Sequence, residues 1–224
     1  MKILPSLLYK NRAERNRMLA DFLAEAKRSG KILNVGGGGE RHLEKALAST
    51  GLNLRIIELD IVGDCDLILN LDQIKKLPYD TEEFDVVCCM DVLEHLENLH
   101  LVNSELIRVA KRKVIISLPV STSEIVYNML LSMGKFRGYS DRGVHSKFYG
   151  LPLEKPKDRH RWWISYDDIV RFYREVEKNN TGLRVKFLTP KLTIKRKILR
   201  HIIGVHLYNN FFVPHVWIVI DKAS

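Results

Sequence analysis

The chain has 224 residues, 46% of them hydrophobic, and a formal net charge of +9. That length buries a full core in one domain. No run of eighteen apolar residues occurs, so no membrane-spanning helix is expected. Three cysteines, two of them adjacent (Cys88, Cys89) and one alone (Cys65), make neither a disulfide framework nor a zinc spacing, which fits a reducing cytoplasm. The charge is uneven: residues 1–120 carry 17 Lys and Arg against 18 Asp and Glu, whereas residues 121–224 carry 19 against 9. A basic second half suits an anionic partner (nucleic acid, phospholipid headgroups or a phosphorylated substrate) or is simply a solvated surface.

The start, MKILPSLLYKNRAERNR, lacks a proper apolar h-region and a small-residue cleavage site, so no signal peptide is expected. Asn11 to Ser29 reads as an amphipathic helix, with Met18, Leu19, Phe22, Leu23 and Ala26 on one face and Gly30 ending it. It is expected to cover a sheet edge without taking part in chemistry. In KILNVGGGGE, Lys31 to Glu40, an apolar run stops at four glycines, the pattern of a buried parallel strand ending in a tight turn. Glycine lets the backbone bend sharply and lie against a ligand. Glu40 to Thr50 follows with helical spacing at Leu43, Ala46 and Leu47, completing a nucleotide-sized cradle. The dinucleotide fingerprint G-x-G-x-x-G fails, because its third position is Arg41.

Leu54 to Leu59 predicts a second strand closing on Asp60, an acid placed to accept both hydroxyls of a ribose; Glu58 is the alternative, and a turn-forming Asp60 the plain one. Leu67 to Leu71 is a short apolar piece, and Asp72 after it lies where an acid accepts the exocyclic amine of adenine. Glu83 to Met90 predicts a buried strand ending at Asp91, with Val92 to Leu96 opening a helix and Val102 to Ala110 forming a helical face. Val114 to Leu118, stopped by Pro119, is the next buried strand. Strands alternating with helices predict an α/β domain with a parallel sheet.

ILNVGGGGE, the LD closing the second strand, LPYDTEEFDVVCCMDVLEHL and VIISLP together resemble the class I S-adenosylmethionine-dependent methyltransferases, over about residues 30–120. The departures are Asn34, where the family has an acid, and Glu40, where its loop ends in glycine. The resemblance implies a doubly wound, mostly parallel seven-stranded Rossmann-like sheet whose last strand runs antiparallel. It also implies S-adenosyl-L-methionine as cofactor. Asn34 would then stand before the turn, and Gly36, Gly37 and Gly38 would lie under the methionine and ribose. Asp60 would hold the ribose hydroxyls, Leu71 with Asp72 would frame the adenine, and Asp91 would face the methionine amino group or the substrate. No metal is assigned. The lesser option is that Asp91-x-x-Glu94-His95, similar to the acid-x-x-Glu-His of ubiquinone-pathway and small-RNA methyltransferases, holds a divalent ion with another His completing it.

About 64 residues separate Leu118 from the next predicted strand, Leu183 to Leu188, more than one crossover needs. Ser123 to Met133 reads as a helix. Ser165-Tyr166-Asp167-Asp168 reads as a capping box opening the crossover helix, Tyr166 to Asn179. Residues 121–163 are therefore an insert at the carboxyl ends of the strands, where a substrate pocket is expected. Its polar and aromatic residues include Arg137, Tyr139, Arg142, His145, Lys147, Tyr149, Arg159, His160, Arg161, Trp162 and Trp163. His160 and then His145 are the candidate general bases, and the tryptophans suit stacking on a sugar or base, or packing. Thr193 to Phe212 predicts one basic amphipathic helix able to lie on an anionic membrane, or simply to pack. Val216 to Ile220 predicts the last strand.

The expectation is one cytoplasmic methyltransferase domain over residues 1–224, with peripheral membrane attachment as an option. It would act on an oxygen or nitrogen of a small-molecule, glycan-like or lipid-linked acceptor. The rivals are an RNA methyltransferase using the basic half and a non-catalytic member binding cofactor or partner, with a nicotinamide enzyme disfavoured by Arg41.

Overall fold

The computed structural model describes residues 7–9, 11–26, 29–48, 50–125 and 159–223. Seven strands form one sheet: β1 (Ser29–Val35), β2 (Asn53–Asp60), β3 (Leu67–Ile68), β4 (Phe84–Met90), β5 (Ala110–Pro119), β6 (Leu183–Leu188) and β7 (His215–Lys222). Their order is β3-β2-β1-β4-β5-β7-β6. β7 runs antiparallel to both of its neighbours, and the pairs from β3 across to β5 are parallel. The chain reverses direction of winding at β1 and β4, so a crevice opens beyond the carboxyl ends of these strands.

The period of two along each strand sorts the core into two layers. Leu33, Val35, Leu59, Val87, Cys89, Val114, Ile116 and Ile218 pack beneath α3 (Leu99–Val109) and α4 (Tyr166–Asn179). Ile32, Val86, Cys88, Met90, Ile115 and Trp217 pack on the other side beneath α1 (Arg12–Ala26) and α2 (His42–Ala48). Trp217 is fully buried, with the Phe22 ring edge-on at 6.4 Å. No helix of the described residues is long and apolar enough to cross a membrane.

Four sequence expectations change. The α1 helix lies across the middle of the sheet rather than along its edge, through Leu19 and Leu23. Gly30 is not the helix stop but the second residue of β1, where a side chain would collide with Asp85. Val92 to Leu96 does not open α3: Leu93–His95 is a separate 3₁₀ turn, and Leu96 is extended behind it. The single helix over 193–212 is two, α5 (Ile194–Ile203) and α6 (Val205–Phe212), broken at Gly204 with φ +84°. The capping box forms as read: the Asp168 N–H donates to Ser165 Oγ, and the Ser165 N–H to Asp168 Oδ2, each at 3.1 Å. Residues 121–125 are helical. The rest of the helix expected over Ser123 to Met133, and most of the insert with His145, Arg137, Tyr139, Arg142, Lys147 and Tyr149, lie outside the described residues.

Candidate functional site

The glycine turn sits between β1 and β2, which pair in register with Asn34 opposite Glu58. Asn34 Nδ2 donates to Glu58 Oε2 at 2.7 Å, and both residues are 2% exposed. Glu58 Oε1 is also buried and has no hydrogen-bond partner among the described residues. Burial, only partly offset by the Asn34 bond, pushes the Glu58 carboxyl up to about 7. An acid at position 34 would set two carboxylates face to face here, so the departure at Asn34 supplies the donor that Glu58 requires.

Two residues along the same face of β2, Asp60 Oδ2 accepts the Gly38 N–H at 2.6 Å, while Oδ1 accepts that of Ile61 at 2.7 Å. Gly36 has φ +73°, and its N–H donates to Leu59 O at 2.8 Å. A Cβ on Gly37 would run into the Glu58 carboxylate and the Asn34 amide. The turn is thus hydrogen-bonded to Asp60 through Gly38 and packed against Glu58 at Gly37, with no room for a side chain at either position. Arg41 adopts φ +50° and ion-pairs with Asp64 at 3.0 Å and Asp66 at 3.3 Å, clamping the loop after β2. Leu71 and Asp72 lie in a 3₁₀ turn whose N-cap is Asn70. Asp72 Oδ1 accepts the Asn98 N–H at 3.1 Å and Asp72 O accepts Asn98 Nδ2 at 2.7 Å, so this acid ties the turn to the start of α3.

Asp91 follows β4 with φ +53°. A non-glycine residue in that region costs of order 1–3 kcal/mol and persists only where its surroundings hold it. Arg15 Nη1 donates to its carboxylate at 2.6 Å, Tyr9 OH at 3.1 Å, and Ser117 Oγ donates as well. Burial alone would raise the Asp91 pKa, but the Arg15 guanidinium and the Ser117 hydroxyl outweigh it and hold the carboxyl below its usual range. Tyr9 stacks on His215, with centroids 4.3 Å apart, and His215 Nε2 is hydrogen-bonded to Leu7 O. Arg12 lies against Gly38, where a Cβ would strike its guanidinium. The N-terminal helix given no chemistry from sequence therefore roofs the turn. Its signal was present: Arg15, Leu19 and Leu23 recur every fourth residue, which puts a guanidinium on the buried stripe.

Three residues beyond Asp91, Glu94 is 1% exposed. Burial, with Asp91 adding to it and His95 opposing, pushes its carboxyl up to about 8. Its Oε2 is buried without a hydrogen-bond partner among the described residues. His95 Nε2 lies 3.9 Å from Glu94 Oε1, and the His95 and His160 rings meet edge to face at 4.7 Å. The chain after the insert returns here because the Arg161 N–H donates to Glu94 O at 2.7 Å and Trp162 Nε1 to Leu96 O at 2.6 Å. Glu94, His95 and His160 thereby place one donor atom each within 4.8 Å of the others. Bond lengths of about 2.0–2.2 Å to a divalent ion require closer donors than that, and three donors leave coordination positions open. Asp91, turned onto Arg15, is not in the group; His160, read from sequence as a base, takes its place.

A cleft of about 580 Å³ is lined by Leu99, His100, Trp162, Trp163, Ile164 and Phe172, among others, and by none of the three cluster residues. His100 sits between the rings of Trp162 and Phe172, at 5.5 and 5.6 Å.

The sequence matches no curated protein. Among solved structures, the fold is similar to the small RNA methyltransferase HEN1, at TM-score 0.59 and 14% identity; the alignment covers all of this chain but 27% of that one. It is similar also to an S-adenosylmethionine-dependent methyltransferase from Archaeoglobus fulgidus, at 0.55 and 17%, with 95% of each chain covered. A third likeness is to the plantazolicin methyltransferase BamL, in complex with a desmethyl plantazolicin analogue and S-adenosylhomocysteine, at 0.59 and 12%, covering 95% of this chain and 85% of that one. The family model described as a methyltransferase domain matches residues 8–177, from the Asp91 roof through the glycine turn into α4. The chain belongs to that family, and its fold is the one these methyltransferases share.

Proposed function

We propose that this protein transfers a methyl group from S-adenosyl-L-methionine to a hydroxyl or amine of a small, glycan-like or lipid-linked acceptor bound in the cleft beside Glu94, His95 and His160. The single observation that carries this reading is the pairing of a glycine turn that admits no side chains with two β2 acids, one of which keeps a buried oxygen without a partner among the described residues. Gly36, Gly37 and Gly38 present backbone to the methionine and ribose, while Asp60 and Glu58 are the acceptors for the ribose hydroxyls. Leu71, 7% exposed, offers an apolar wall for the adenine, and Asp72 stiffens that wall through Asn98. Asp91 acts from behind, anchoring the Arg15 roof that excludes water. The bound cofactor supplies an electrophilic sulfonium methyl, so the protein's task is positioning and proton removal.

Trp162 and Trp163 provide faces for a sugar ring. His160, two residues before the cleft-lining Trp162, takes the acceptor proton directly or, with Glu94 and His95, holds a divalent ion that acidifies the acceptor oxygen. Release of S-adenosylhomocysteine across a panel of hydroxylated and amino acceptors, with and without chelator, tests this. We expect turnover that falls at least 100-fold in His160→Ala. A chelator-sensitive rate restored by added manganese or zinc selects the ion. Cofactor binding without turnover on any acceptor contradicts the catalytic reading and favours a binding-only member of the family.

RNA as acceptor is the second reading, favoured by the basic second half. It requires binding of mixed RNA that weakens steeply between low and high salt.

A further inference from the structure

The α5–α6 pair follows the carboxyl end of β6, on the same sheet edge as Gly36, Asp60 and Asp91. It is tied there by Thr122 Oγ1, which donates to Asn210 O at 2.5 Å, and by Asn210 Nδ2, which donates to Asp167 at 2.8 Å. Leu199 and Ile203 face inward onto the core. Yet α5 has no buried residue. Ile194, Ile198 and Ile202, spaced every fourth residue, are 77%, 56% and 73% exposed, and Val205 and Leu207 continue the patch at 52% and 48%. This is a second apolar stripe on the outer side of a helix already packed by its inner side, and nothing among the described residues covers it.

Charge selects the occupant. Residues 189–214 contain Lys191, Lys195, Arg196, Lys197 and Arg200 and no Asp or Glu at all. At about 100° per residue, Lys195 borders the isoleucine stripe on one side, and Lys197 and His201 border it on the other. A flat apolar face rimmed by cations fits a surface that is apolar within and anionic at its rim, which is the interface of an acidic phospholipid bilayer. A nucleic acid would leave the isoleucines in water, and an ordinary protein interface gathers its charges less one-sidedly.

We infer that α5 docks this protein on anionic membrane, with Ile194, Ile198 and Ile202 in the headgroup–acyl boundary and the flanking lysines on lipid phosphates. Docked so, the edge of the sheet that carries the glycine turn and the histidine cluster is brought to the bilayer, and the acceptor is one carried in that bilayer, a hydroxyl or amine on a lipid-anchored polar group. The acceptor assignment rests on the methyl-transfer reading; the docking does not.

The test is co-sedimentation of the whole protein with vesicles of phosphatidylcholine alone and of phosphatidylcholine with phosphatidylglycerol in equal parts, at 0.1 M salt, without cofactor. We expect at least tenfold stronger binding to the anionic vesicles. The pair Ile198→Glu with Ile202→Glu should reduce it at least tenfold while leaving the melting temperature unchanged, since both side chains are solvent-facing. Lys195→Glu with Lys197→Glu should abolish the preference for anionic lipid. Equal binding to both vesicle types, no pelleting at all, or pelleting indifferent to the isoleucine changes overturns the docking. So does a self-associated protein that turns monomeric in the isoleucine variant without having bound vesicles, which gives the stripe to a second copy. None of these outcomes depends on cofactor, so failure here leaves the methyl-transfer reading standing, and silence towards cofactor leaves the docking standing.

Discussion

Two kinds of carboxylate lie along the carboxyl edge of this sheet. Asp91 is closed: Arg15, Tyr9 and Ser117 all donate to it, and its pKa is held down. Glu58 and Glu94 are open: each keeps one buried oxygen without a hydrogen-bond partner among the described residues, and burial drives each pKa up, to about 7 and about 8. A carboxylate with every partner in place has its hydrogen-bonding needs met within the protein. One left half-satisfied stores a cost that a ligand can relieve. The open acids flank the proposed cofactor and acceptor sites, while the closed one holds down the roof between them.

The largest expected effect separates the two kinds directly. Asp91→Ala strands the Arg15 guanidinium, which is 6% exposed, and should cost about 3–5 kcal/mol in urea unfolding. Glu94→Gln, three residues away, should stay within about 1 kcal/mol of the parent while losing turnover. Equal losses in the two variants would erase the distinction.

Next in size, Gly37→Ala forces a methyl group against the Glu58 carboxylate. It should cost about 1–3 kcal/mol, as overpacking does, and remove cofactor affinity. An unchanged affinity would mean that the turn is not the cradle.

The third effect is a pH dependence. Because the Glu58 pKa is raised from 4.5 to about 7 in the fold, its contribution favours the folded state in full below about pH 4.5 and is lost as pH rises through about 7. Glu58→Gln has no such term, so its stability relative to the parent should climb by about 2–2.5 kcal/mol between pH 5 and pH 8.5. A flat difference would put Glu58 among the closed acids. Asp91 has the opposite sign: its stabilisation is present above about pH 4 and fades only as pH falls through its lowered value.

The sheet was legible in the sequence because its central strands β1, β4, β5 and β7 are buried on both faces and read as apolar runs, from Ile32 to Val35 through to Val216 to Ile220. So was the capping box of α4, whose partners lie three residues apart. The roof over Asp91 was not, because Tyr9, Arg15, Ser117 and His215 converge across sequence gaps of up to two hundred residues. The grouping of His160 with Glu94 and His95 depends likewise on two backbone-directed bonds, Arg161 to Glu94 and Trp162 to Leu96, which side-chain pattern does not encode. The break at Gly204 could be read locally, since a lone glycine in a helical period marks a possible cap.

The central claim is that the glycine turn and the two β2 acids bind the adenosyl cofactor, and titration calorimetry with S-adenosylhomocysteine on ligand-stripped protein tests it most directly. The expected result is a saturable heat at one ligand per chain, lost in Gly37→Ala and weakened at least tenfold in Asp60→Asn, but kept in Glu94→Gln. No heat with either S-adenosylmethionine or its demethylated product, or equal heat in all three variants, would contradict it.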